Sequence, residues 1–183
     1  MIITHEREKL IQAINFFVRN TRKCGKTKLF KLLYFLDFEH FKLTGRSVTG
    51  STYFAWPKGP VPVALYNELD APPDDLSAAF AFGARDVKNG KMFAIEPKID
   101  FSDAHFSKRE LGLLRQLANE YKDADAESMV EATHLENLPW AKIYEEQGRK
   151  QAEIPYDLAV RPDEREFILE IAAERDELLK RLR

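Results

Sequence analysis

Four groups of residues carry types that do chemistry elsewhere. Gly25-Lys26-Thr27 matches the end of a phosphate-cradling loop. The full pattern needs a glycine five places before Gly25, where Asn20 stands, and a preceding strand, where the pattern here is helical. No nucleotide site is expected there, and Thr27 reads as a helix N-cap. The histidines are His5, His40, His105 and His134, none in an HxxxH or CxxC arrangement, and the one cysteine, Cys24, cannot build a thiolate zinc site. Metals and cofactors are therefore not expected. Cys24 as a nucleophile would need a positioned base and a depressed pKa, which Arg22, Lys23 and Lys26 would favour. The plainer reading is an incidental cysteine in a polar loop. Asp123 and Asp125 sit in an acidic, solvated stretch that does not suggest an acid–base pair.

Charge bounds the remaining possibilities. The chain has 183 residues and a net charge of −2, so no global field draws it to nucleic acid or membrane. Arg22, Lys23, Lys26, Lys28, Lys31, Lys42 and Arg46 nevertheless outnumber Asp37 and Glu39 between Asn20 and Arg46. This local excess is read as a solvated rim around a buried helix, the alternative being a phosphate-touching patch. One cysteine excludes an intrachain disulfide and fits a reducing compartment. The start, MIITHEREK, lacks a signal-peptide core, and no apolar run approaches the roughly 18 residues of a membrane span. A cytoplasmic protein is expected.

The elements that must position these residues centre on Lys28–Leu43. Leu29, Leu32, Leu33, Leu36, His40 and Leu43 share one helical face, and Phe30, Tyr34, Phe38 and Phe41 share the next. An arc that wide predicts a helix walled in on several sides, with Gly45 closing it in a left-handed conformation. Residues 4–20 predict a helix capped by Thr4, with Leu10, Ile11, Ile14, Phe17 and Val18 as its stripe. Thr52 to Trp56 favour a strand, Pro57-Lys58-Gly59-Pro60 a turn, and Pro62 the first position of a helix. Asn89-Gly90 marks a hairpin over 84–97, expected to pair with the strand near Tyr53. Ser107 and Glu110 form a capping box opening a helix to Tyr121. Further helices are expected at 125–133, from Pro139, and over 163–183, where Phe167, Ile168, Ile171, Leu178, Leu179 and Leu182 line one side. The fold class is mainly α (α+β): a central buried helix surrounded by helices, with a small antiparallel hairpin or sheet.

Two stretches are more specific. The first is KLFKLLY at 28–34, then His40, then Leu43-Thr44-Gly45, then FAWPKGPV at 54–61; the second is THLENLPW at 133–140. This ordered set resembles the Panacea antitoxin domain, the SocA-like family of bacteria and their phages. That family joins a KLxKLLY helix to a TGxx segment and an AWxxGPV turn, with THxExPW later. The resemblance spans roughly residues 6–160, so 1–160 is expected to form the domain and 161–183 an amphipathic helix packed on it or extending from it. It implies a mainly helical fold and a non-enzymatic antitoxin role, binding and neutralising a toxin encoded beside it. Some members carry an N-terminal DNA-binding domain for which this chain has no room, so a nucleic-acid partner is not expected. A membrane partner is not expected either, while a homo-oligomer stays open. The competing readings are a phage- or mobile-element-associated adaptor without a toxin and a hydrolase-like enzyme using His134 and Glu136. That enzyme would need both polar tips in one pocket.

The resemblance assigns structural roles to Lys28, Lys31, Tyr34, His40, Gly45, Trp56, Gly59, Pro60, Thr133, His134, Glu136, Pro139 and Trp140. Trp56 and Trp140 are expected to pin their proline turns to the core, and Gly59 to adopt a backbone that side chains oppose. Thr133 and Glu136 are expected to cap the helix begun by Pro139, and His134 to hydrogen-bond the central helix. Partner contacts are expected at Tyr53, Trp56 and Lys58 and at Phe167, Ile171 and Leu178 on the last helix.

Overall fold

The computed structural model describes residues 4–88, 90–135 and 138–182. Helix α1 (Glu6–Asn20) buries Leu10, Ile14 and Phe17, with Ile11 and Val18 packed at the edge of the core. Its cap is His5, not Thr4: His5 takes a left-handed φ of 53° and its ring stacks on His105 at 4.0 Å. Helix α2 (Lys26–Thr44) starts earlier than the apolar pattern indicated, with Gly25 as its cap and Thr27 inside the first turn. A Cβ at Gly25 would meet Met92 Cγ at 2.8 Å, so the hairpin packs over the helix start. Gly45 ends α2 in the expected left-handed conformation, φ 66°.

Burial along α2 is unbroken from Lys28 to Phe38 and resumes at His40. That requires neighbours all around, and α2 has them. They are α1, α5 (Lys108–Glu120), α6 (Ala126–Thr133), α8 (Arg165–Arg181), β2 (Gly59–Val61) and a 3₁₀ turn at Tyr156–Ala159. Both halves of the capping box hold α5: Glu110 N–H donates to Ser107 Oγ at 3.2 Å and Ser107 N–H to Glu110 Oε2 at 2.6 Å. Asp125 caps α6 through Ser128 N–H at 2.9 Å. Between β2 and the hairpin lie α3 (Val63–Asp70), with Pro62 as its N-cap and not its first residue, and α4 (Asp74–Ala79). Pro139 opens α7 (Pro139–Ala141), which runs into a π-helical turn at Lys142–Glu146.

The strands form two separate antiparallel pairs. β1 (Phe54–Trp56) pairs with β2, Trp56 opposite Gly59, and β3 (Phe80–Val87) pairs with β4 (Gly90–Pro97). The expected pairing of the hairpin with the Tyr53 strand does not occur. The free edge of β1 is already taken: Ala55 N–H donates to Ala152 O, Gln151 N–H to Ala55 O and Ile154 N–H to Tyr53 O, each at 2.8 Å. Asn89 of the hairpin signal lies outside the described residues. The architecture is mainly α with a small β component, as the sequence predicts. Among the described residues no helix is long and apolar enough to cross a membrane.

Candidate functional site

Part of the motif set, Lys31, Trp56, Gly59, Pro60, Thr133, His134 and Trp140, converges on one node. Lys31 of α2 is 1% exposed and its Nζ donates to Pro60 O at 2.7 Å. Burial alone pushes its pKa down to about 7. Gly59 takes φ +95°, and a Cβ there would stand 2.7 Å from Thr133 Oγ1 and 2.8 Å from Lys31 Cε. Glycine is what lets β2, α2 and the end of α6 meet this closely. Trp140, 1% exposed, donates from Nε1 to Trp56 O at 2.9 Å, so α7 is tied to the β1–β2 turn. The His134 ring lies flat on the Trp140 indole at 3.7 Å with 3° between planes, and Tyr144 also stacks on the indole at 4.7 Å.

Three expectations change at this node. Thr133 does not cap the helix at Pro139. Its hydroxyl donates back to Val130 O at 2.9 Å inside the buried end of α6, and Leu138 is the N-cap without a side-chain bond. His134 does not hydrogen-bond the central helix. The stack on Trp140 sets its ring plane, and Nε2 is buried without a partner among the described residues, as is Tyr34 Oη. Burial, and next the charge of Lys31, push the His134 pKa down. Glu136, the other half of the hydrolase-like pair, lies outside the described residues.

A second node, which sequence reasoning missed, is built on Asp37. Its buried carboxylate accepts from Val48 N–H and Thr49 N–H at 2.8 Å, Thr49 Oγ1 at 2.5 Å and Tyr53 Oη at 2.7 Å. Burial pushes this carboxyl up to about 6, while the four donors act the other way. The signal was present: an aspartate between Leu36 and Phe38 in an all-apolar stretch must find donors. Tyr53 is fully buried by this bond, so it is not a partner-contact residue as expected. His40, only 6% exposed, donates from Nδ1 to Arg46 O at 2.8 Å and shapes the chain after Gly45.

The basic stretch divides: Arg22, Lys23 and Arg46 are exposed and Lys26 and Lys42 half-buried, as a solvated rim would be, but Lys28 and Lys31 are buried. Lys28 is 1% exposed and its Nζ donates to Arg22 O at 2.9 Å, Ala124 O at 2.7 Å and Lys122 O at 3.2 Å. It thereby ties the α1–α2 link to the α5–α6 link. Arg22 pairs with Asp123 at 2.9 Å and Lys26 pairs with Asp70. Lys28→Met takes the Nζ donor from three carbonyls, of which Lys122 O keeps Arg22 N–H at 2.8 Å, and is expected to cost about 2–3 kcal/mol in urea unfolding. Cys24 is buried, and burial pushes its thiol up to about 11, outweighing the Thr21 hydrogen bond and the Lys28 charge that act the other way. It is held as a protonated thiol.

Of the other expected contact residues, Lys58 is exposed and Trp56 half-buried, its indole against Tyr66 at 5.1 Å. On α8, Ile168 is buried where a Cβ at Gly45 would meet Ile168 O at 2.9 Å. Phe167 stays 65% and Leu178 53% exposed, and Ile171 is half-buried.

A buried lysine–glycine–tryptophan scaffold inside a mainly helical fold is the arrangement the KLxKLLY, AWxxGPV and THxExPW motifs build. The chain belongs to the SocA-like antitoxin family: the family model described as "Antitoxin SocA-like, Panacea domain" matches residues 29–141, more than half of the chain. No curated protein and no solved structure matches it.

Proposed function

We propose that this chain is an antitoxin-type binding protein that neutralises a cognate toxin, encoded by an adjacent gene, by direct protein–protein contact in the bacterial cytoplasm. The observation that carries this reading is family membership across residues 29–141. Two structural features support it. Lys31, Gly59 and Trp140 are occupied in holding α2, β2 and α7 together. An apolar stripe is also left largely uncovered: at about 100° per residue, Phe167, Ile171 and Leu178 of α8 and its C-cap Leu182 fall within a narrow arc, Ile171 half-buried among them. Their neighbour Ile168 is buried, whereas Phe167, Leu178 and Leu182 are 65%, 53% and 44% exposed. We assign this stripe to the toxin, with Trp56 and Lys58 as a second contact.

Co-expression with the neighbouring reading frame tests the function: a stable complex and restored growth are expected, and the absence of both overturns it. The surface is tested by Phe167→Asp combined with Leu178→Asp. Both positions are exposed, so stability should change by no more than about 0.5 kcal/mol per site. Toxin affinity should fall by about 2 kcal/mol or more, read by titration calorimetry. Unchanged affinity removes α8 from the interface without touching the antitoxin reading.

A further inference from the structure

A cleft of about 480 Å³ lies on α2, away from the Lys31–Trp140 node, where the first turn of α1, the end of α2, the start of α5 and the middle of α8 meet. Its walls carry Arg46, Arg109 and Arg175, together with Lys9, Glu110 and Glu6. Lys9 and Glu110 neutralise each other at 2.6 Å. None of the three arginines has a carboxylate partner among the described residues. With Glu6 as the remaining anion, the cleft holds an excess of two positive charges.

The arginines are brought together by devices that otherwise look like plain scaffolding. His40 Nδ1 holds the Arg46 carbonyl at 2.8 Å, and Thr44 Oγ1 accepts from Arg46 N–H at 3.3 Å. The missing Cβ of Gly45 lets α8 approach to the point where Ile168 O would be 2.9 Å from it. Arg175 lies seven residues, about two turns, beyond Ile168 on the same side of α8. It therefore faces the same junction, and the charge of Arg46 acts on it. The capping box places Arg109 in the first turn of α5. Arg46 and Arg175 repel one another, Glu6, Asp176 and Glu110 offset that repulsion in part, and a bound anion relieves the remainder.

We propose that this cleft binds a small molecule carrying a phosphate monoester, its phosphate held by Arg46, Arg109 and Arg175. A guanidinium fork matches phosphate and carboxylate equally well. A lone carboxylate, with one charge and two oxygens, would fill one fork and leave the others uncompensated. A phosphate monoester brings about −1.5 to −2 charges and three terminal oxygens at neutral pH, which matches the excess. The volume falls in the range of small-molecule sites, so room remains for the body the phosphate is attached to. The site stands independently of the toxin reading, since it does not use the Phe167–Leu178 stripe.

The intact chain is titrated in a phosphate-free buffer at constant ionic strength with inorganic phosphate, ribose 5-phosphate, adenosine 5′-monophosphate and a penta-glutamate peptide, read by calorimetry. Saturable binding of the two monoesters, tighter than inorganic phosphate, is expected. Arg46→Ala with Arg175→Ala should weaken it by at least about tenfold, with an unchanged circular dichroism spectrum. Arg175→Lys, which keeps the charge but loses the fork, should weaken it by less. Three results overturn the proposal: no saturable binding of either monoester, binding unaffected by the double substitution, or penta-glutamate binding in preference to every phosphate. If the double variant misfolds, Arg109→Gln in the exposed first turn of α5 gives the same reading.

Discussion

Trp140→Ala is expected to lower stability by about 3–5 kcal/mol, measured by urea unfolding at neutral pH. The indole is 1% exposed and bridges the β1–β2 turn, His134 and Tyr144 of the π-helical turn. Truncation opens a large cavity and removes the flat stacks with His134 at 3.7 Å and Tyr144 at 4.7 Å. It also leaves Trp56 O without its 2.9 Å donor. Trp140→Phe separates these contributions. Much of the ring remains and the donor is lost, so the cost should fall to about 1–3 kcal/mol. A loss below about 1 kcal/mol for Trp140→Ala would mean that α7 does not tie down the turn. The α8 stripe proposed to meet the toxin lies elsewhere, so Trp140→Phe should retain toxin affinity once the protein is folded.

The second large effect is a rise of stability with pH that belongs to Lys31. Its amine is held at about 7 in the fold, against 10.5 for an ordinary lysine. Between those values the unfolded chain binds more protons than the folded one, so stability rises as pH increases through this window. Below about 7 the folded protein carries the full cost of a buried ammonium, on the order of 4–5 kcal/mol as an upper bound. Lys31→Met abolishes the slope. Other titrating groups are common to both proteins and cancel in the comparison. The stability of the natural protein relative to Lys31→Met should therefore increase by several kcal/mol between about pH 7 and pH 10. Parallel curves for the two proteins would show that Lys31 remains protonated throughout, solvated through some route the fold keeps open.

The two tests also separate what was legible from what was not. The helix from Lys28 onward, the Ser107–Glu110 box, the Gly45 terminus and the hairpin over 84–97, which the structure extends back to Phe80, are each written in local spacing, so pattern reading finds them. Thr4 and Thr27 failed as caps for a common reason. A cap is chosen by what packs over the helix start, and His105 over His5 and Met92 over Gly25 are distant in sequence. The same holds for the Tyr53 strand, whose edge is occupied by residues 151–154 and so is closed to the hairpin.

Charge was the least legible property of all. Lys28 and Lys31 looked like members of a solvated rim, yet both are buried and bound to carbonyls. Tyr53 looked like a contact residue, yet its hydroxyl completes the shell of Asp37. A sequence states which groups are polar, but their partners are supplied by segments thirty or a hundred residues away. Composition, periodicity and the ordered motifs by themselves determined a mainly helical chain organised on one buried helix, and its family. Tertiary structure alone decided which lysines lost their water, which apolar stripe kept its own, and that three arginines, from α5, α8 and the segment after α2, line one cleft. The physical reason is that hydrophobic periodicity is a local signal, whereas the desolvation of a charge depends on everything that comes to lie within a few ångströms of it.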